Sequence, residues 1–88
     1  MNQDDSPFEF PCDFPIKAFG QDTGDFDELV LELVSQHAPG ITREQLTTRS
    51  SRGGNYLSVT VHLRAESRDQ LDRIYESLSA HERVLAAL

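Results

Sequence analysis

A chain of 88 residues, 38% hydrophobic and 26% charged, suits one small domain that buries only about 60 to 65% of the surface its unfolded form exposes, which excludes a second core and an enclosed active site. The net charge is −7, from 15 acidic against 8 basic residues, and a surface of that sign repels a phosphate backbone, so no nucleic-acid partner is expected. With the single cysteine Cys12, an N-terminus without a basic and apolar leader, and no apolar run long enough to cross a bilayer, the chain reads as cytoplasmic, with no internal disulfide, thiolate metal site or membrane span.

The charge is unevenly spread. Residues 1–28 hold Asp4, Asp5, Glu9, Asp13, Asp22, Asp25, Asp27 and Glu28 against Lys17 alone, and the rest of the chain is neutral. Residues 1–12 lack periodicity and read as a flexible acidic arm, from which Phe8 and Phe10 could dock on the body; residues 13–88 form the domain. Residues 15–19 alternate, with Phe14, Ile16 and Ala18 on one side, and Gly20 ends this first strand.

Asp25 followed three residues later by Glu28 predicts a helix start, the Asp25 carboxylate accepting from an orphan backbone N–H. Phe26, Leu29, Val30, Leu33, Val34 and His37 then form one stripe, and Pro39-Gly40 stops a helix over about residues 25–38. Residues 41–51, rich in Thr, predict an edge strand. Arg52-Gly53-Gly54-Asn55 predicts a hairpin turn. Residues 56–65 then alternate cleanly, Leu57, Val59, Val61 and Leu63 inward and Ser58, Thr60, His62 and Arg64 outward.

Ser67-Arg68-Asp69-Gln70 fits a capping box opening a helix over residues 68–80, with Leu71, Ile74, Tyr75 and Leu78 inside. The apolar tail 83–88 reads as a last strand. The order βαββαβ is the split βαβ of a ferredoxin-like α+β sandwich: a four-stranded antiparallel sheet of order 4-1-3-2 with both helices on one side, each crossover joining parallel neighbours. The other side, with Ser58, Thr60, His62 and Arg64, is left open to water or to a partner.

Ferredoxin-like folds host unrelated chemistries, so each is judged at its site. The loop 20–24 has no Cys-x-x-Cys for a soft metal and no Arg for an acyl phosphate, and an RNA-stacking sheet would have only Phe19 and Tyr56 to offer. Asp22, Asp25, Asp27 and Glu28 match no calcium loop and read as helix capping and dipole complement. His37 reads as a helix-end cap or packing group, and His62 and His81 lie too far apart in the chain to suggest a metal cluster. No catalytic, cofactor or metal residue is therefore assigned.

The segment Arg49-Ser50-Ser51-Arg52-Gly53-Gly54-Asn55 has two readings. Its guanidiniums, hydroxyls and glycine N–H groups are the ingredients of an anion cradle, and they equally make an exposed turn with Asn55 bonding it. Recognition is assigned to Arg49, Ser50, Ser51, Arg52, Asn55 and Tyr56.

The segments Phe10-Pro11-Cys12-Asp13-Phe14-Pro15-Ile16-Lys17, His37-Ala38-Pro39-Gly40 and Ser50-Ser51-Arg52-Gly53-Gly54-Asn55-Tyr56-Leu57-Ser58-Val59 together resemble the YbeD-like family of small bacterial proteins. The likeness runs from Phe8 onward, and the extra glycine at Gly53 or Gly54 and the acidic arm depart from its pattern. It implies a domain similar to ACT-type regulatory domains. The expected role is a non-enzymatic regulatory or adaptor domain, as a homodimer, that binds a protein partner or a small ligand. The alternative is a metabolite sensor using the loop 20–24, and an unrecognised small enzyme comes third.

Overall fold

The computed structural model describes residues 9–88. The elements run β1 (Cys12–Gln21), α1 (Phe26–Ser35), a 3-10 turn (Arg43–Gln45), β2 (Leu46–Ser50), β3 (Tyr56–Ala65), α2 (Arg68–Ala80) and β4 (Ala86–Ala87). The sheet order β2-β3-β1-β4 is the expected 4-1-3-2 read from the other edge, and every adjacent pair is antiparallel. Strands joined by a helix are accordingly not neighbours: β3 separates β1 from β2, and β1 separates β3 from β4. The expectation of adjacent parallel pairs is corrected on that point.

β1 is longer than its alternation suggested because β3 templates it throughout, from Cys12 opposite Ala65 to Gln21 opposite Tyr56. Gly20 lies inside the strand rather than ending it. At the other end β4 has two residues, extended by mutual backbone bonds between Lys17 and Leu88 and by Leu85 N–H donating to the Phe19 carbonyl. The expected edge strand at 41–51 is cut to five residues, since 43–45 wind into a 3-10 turn held where the Gln45 side-chain oxygen accepts from the Thr42 N–H at 3.1 Å.

One apolar layer fills the space between sheet and helices. Ile16, Phe26, Val30, Val34, Val59, Val61, Ile74 and Leu78 are fully buried. On α1 the deepest line is Phe26, Val30, Val34 and then Ala38, a four-residue spacing that leaves Leu29 and Leu33 half-buried at the margin, where a deeper position was expected; Leu57 is half-buried too. Two helices sharing one side of a small sheet each bury only a narrow stripe. α2 begins at Arg68 and ends at Ala80, and the Ser67 hydroxyl caps it by accepting from Gln70 N–H at 3.1 Å. The return half of the capping box shifts by one residue, the Gln70 carboxamide oxygen taking the N–H of Glu66 at 2.8 Å.

The arm is shorter than expected. Cys12 belongs to β1, and Phe10 is half-buried against the core; Phe8 lies outside the described residues. Deleting residues 1–7 removes none of that core and should leave the melting temperature essentially unchanged. Deleting residues 1–10 also strips Phe10, whose partial burial contributes about 1 kcal/mol, so thermal denaturation should fall by roughly 4–8 °C.

Candidate functional site

The β2–β3 hairpin projects from one end of the sheet. Ser51 N–H donates to the Tyr56 carbonyl at 2.8 Å, Gly54 N–H to the Ser51 carbonyl at 2.9 Å, and Tyr56 N–H to the Ser51 hydroxyl at 3.0 Å. Gly54 sits at φ +79°, a conformation that accounts for a glycine there. These bonds bear on the anion cradle. The Gly54 N–H is already engaged inside the turn and does not face a ligand, whereas the Ser51 hydroxyl only accepts there and keeps its O–H proton to donate. The Asn55 carbonyl, rather than its side chain, ties the turn to the body by accepting from Asp22 N–H at 2.9 Å.

What the hairpin offers is side chains. Arg49, Ser50, Ser51, Arg52 and Tyr56 line a shallow concavity of about 490 Å³ together with Phe19, Leu57 and Ser58. Asn55 is not on its wall. The half-buried Phe19 reaches it from β1, opposite Ser58, which in turn stands opposite Arg49. Among the described residues no carboxylate is in ion-pair contact with Arg49, Arg52 or, on α2, Arg68, whereas Arg43, Arg64, Arg73 and Arg83 are each paired.

The loop after β1 is closed by its own contacts. Asp25 precedes α1 without capping it by its side chain, contrary to expectation. Its carboxylate instead accepts from Arg83 at 2.6 Å and from the Thr23 hydroxyl at 2.8 Å, and Arg83 also reaches Thr23. Sequence reasoning missed this because Arg83 is 58 positions away. The Arg83 and Thr23 hydrogen bonds hold the Asp25 pKa below its ordinary 3.8. A carboxylate depressed in the folded state contributes stability that is fully present above its unfolded pKa and is lost as pH falls through the folded one. Asp25→Asn should therefore be less stable than the parent at neutral pH, with the difference shrinking below pH 3.8, as urea titrations at several pH values would measure. The effect is small because the pair is exposed.

At the opposite end, where α1 stops and α2 starts, a concavity of about 780 Å³ is lined by residues that include Gln36, His37, Gly40, Arg64, Ser67 and Arg73. Sequence reasoning passed over it, since four separate stretches of the chain build it. Its polar groups already hold one another. His37 Nε2 is 2.7 Å from Ser77 Oγ on α2, the His37 carbonyl accepts from the Gln70 amide at 2.9 Å, and Arg64 and Arg73 pair with Asp13 and Asp69. His37 thus clasps the two helices, a packing role. Among the described residues no three His, Cys, Asp or Glu side chains gather as a metal site, and no helix is long and apolar enough to cross a membrane.

Comparison with known proteins adds relatives and a fold neighbour. Residues 5–88 match the family model described as "Protein of unknown function (DUF493)". A UPF0250 protein of Neisseria gonorrhoeae is 45% identical over 83 residues, covering 94% of this chain and 91% of its own. One from Paraburkholderia phytofirmans is 45% identical over 84 residues, covering 96% and 94%. The solution structure of protein HP0495 from H. pylori superposes with a TM-score of 0.68 over 99% of this chain and 91% of that one, at 12% identity, which speaks to the fold alone. The family match, the relatives and the architecture together establish that the chain belongs to the DUF493 family, the YbeD-like group of small bacterial proteins with a ferredoxin-like fold.

Proposed function

We propose that the domain is a non-enzymatic regulatory or adaptor module that recognises a partner protein through its β2–β3 hairpin. The observation that carries this reading is the placement of Arg49 and Arg52, exposed and outside any ion pair among the described residues, beside Phe19 in the lining of one concavity. A turn built only for folding needs Gly54 and the Ser51 bonds and is indifferent to the two guanidiniums. Charge-assisted hydrogen bonds to a partner carboxylate give such a lining about 1.5–3 kcal/mol each.

The test is the double variant Arg49→Ala with Arg52→Ala. Its stability should stay within about 0.5 kcal/mol of the parent, since exposed charges contribute little. Its capture of a partner from bacterial lysate should fall by about tenfold or more. Full capture by the double variant would move the site off the hairpin.

A metabolite-sensor reading draws on a smaller concavity of about 300 Å³ between Gln21, Thr23, Tyr56, Glu82, Arg83 and Leu85. It is the weaker of the two, because Thr23 and Arg83 are already bonded to each other and to Asp25.

A further inference from the structure

The sheet surface turned away from the helices has a charge opposite in sign to that of the chain. The register lays Arg49, Ser58, Phe19 and Ala86 in one row across it and Thr47, Thr60 and Lys17 in the next. Farther along, Arg64 stands opposite Asp13. This surface carries the fixed cations Lys17, Arg49 and Arg64 against the Asp13 side chain and the α-carboxylate of Leu88, whose oxygen accepts from Lys17 N–H at 3.0 Å, in a chain of net charge −7. The acids crowd the other layer, with Asp27, Glu28 and Glu32 on α1 and Asp69, Asp72 and Glu76 on α2. Lys17, like Arg49 and Arg52, is outside any ion pair among the described residues.

We infer that this surface docks an acidic, extended segment of a partner protein, its carboxylates meeting Lys17, Arg49 and Arg52 while one apolar side chain enters the concavity over Phe19. The inference rests on the hairpin reading and specifies the chemistry of the partner. Charge complementarity selects the occupant. A second copy packing sheet to sheet would bring two surfaces of like net charge together in a two-fold contact, and helix layer to sheet would be a head-to-tail contact that does not close as a dimer. Lys17 and Arg49 stand two strands apart and one row apart, roughly 12 Å on the sheet, a span covered by about four residues of extended chain. The net negative charge elsewhere penalises a nucleic acid, whose charge continues past the docking surface, more than a short acidic segment.

The experiment selects random phage-displayed peptides on the full chain and measures the winners, fluorescein-labelled, by anisotropy. The expected winners carry at least two Asp or Glu around an aromatic or aliphatic residue. They should lose about tenfold in affinity, the worth of one charge-assisted contact, to Lys17→Glu, which lies outside the hairpin, and should weaken with added salt. Winners without acids, no winners above background, or binding unchanged by Lys17→Glu overturn the inference. If such peptides still weaken with Arg49→Ala and Arg52→Ala, the hairpin reading stands without it; if neither site matters, both fall. Labelled oligo-dT binding more tightly than any peptide would overturn it in favour of a nucleic acid.

Discussion

Gly20→Ala is expected to destabilise the domain by about 2 kcal/mol, the cost of forcing volume into a packed core, and to lower the melting temperature by roughly 8–16 °C. A Cβ at this position would lie 2.4 Å from one carbon of the Phe26 ring, 2.5 Å from another and 2.7 Å from the Arg83 carbonyl oxygen. Phe26 is fully buried and the carbonyl is backbone, so neither yields cheaply. Strand preference alone would favour alanine by about 0.5–1 kcal/mol, and the overlap outweighs it. In a Phe26→Leu background the same change should cost less, because part of the obstruction is gone. An unchanged melting temperature for the single variant would contradict this account of the close contact between β1 and the start of α1.

Val59→Asp is expected to abolish folding. Val59 is fully buried on the side of β3 facing the helices, paired with Ala18 on β1 and Thr48 on β2. No buried charged side chain exists among the described residues to compensate a carboxylate there. Burying it uncompensated costs several kcal/mol, comparable to the whole stability of a small domain, about 5 kcal/mol or somewhat more. Circular dichroism should show an unfolded chain, whereas Thr60→Asp, one residue away and on the opposite side of the sheet, should fold. A folded Val59→Asp would mean that the register of β3 is wrong.

The two variants differ in how far the sequence foretells them. Val59 follows from alternation: from Tyr56 to Ala65 the side chains switch sides at every residue, and the period of two assigns each one. Arg68–Ala80 is equally plain, because Ser67 caps it and Leu71, Ile74 and Leu78 repeat at helical spacing. Gly20 reads in sequence as the end of a strand. Its real role, making room for the Phe26 ring and the Arg83 carbonyl, depends on two segments meeting that no local pattern connects. The same holds for Asp25, which has the spacing of a cap and the three-dimensional role of holding Arg83. Leu29 and Leu33 lie in the periodic stripe of α1 yet pack at its margin, because periodicity gives the direction of an apolar stripe better than the width the neighbouring helix leaves it. For the site, the hairpin and its exposed arginines were readable from Arg49 to Tyr56. The place of Phe19 in the lining, the internal use of the Ser51 hydroxyl, and the concavity between the helix ends were not, since each depends on contacts between residues apart in the sequence.

The concavities of about 490 and 780 Å³ sit at opposite ends of the molecule, and the proposed recognition lies at the hairpin end. Hydrogen–deuterium exchange of the domain alone and in complex with its captured partner separates them most directly. Added protection is predicted at residues 47–58 and around Lys17 and Phe19, with residues 36–41 and 66–73 unchanged. Protection confined to residues 36–41 and 66–73, where His37, Ser67 and Arg73 line the other concavity, would contradict it.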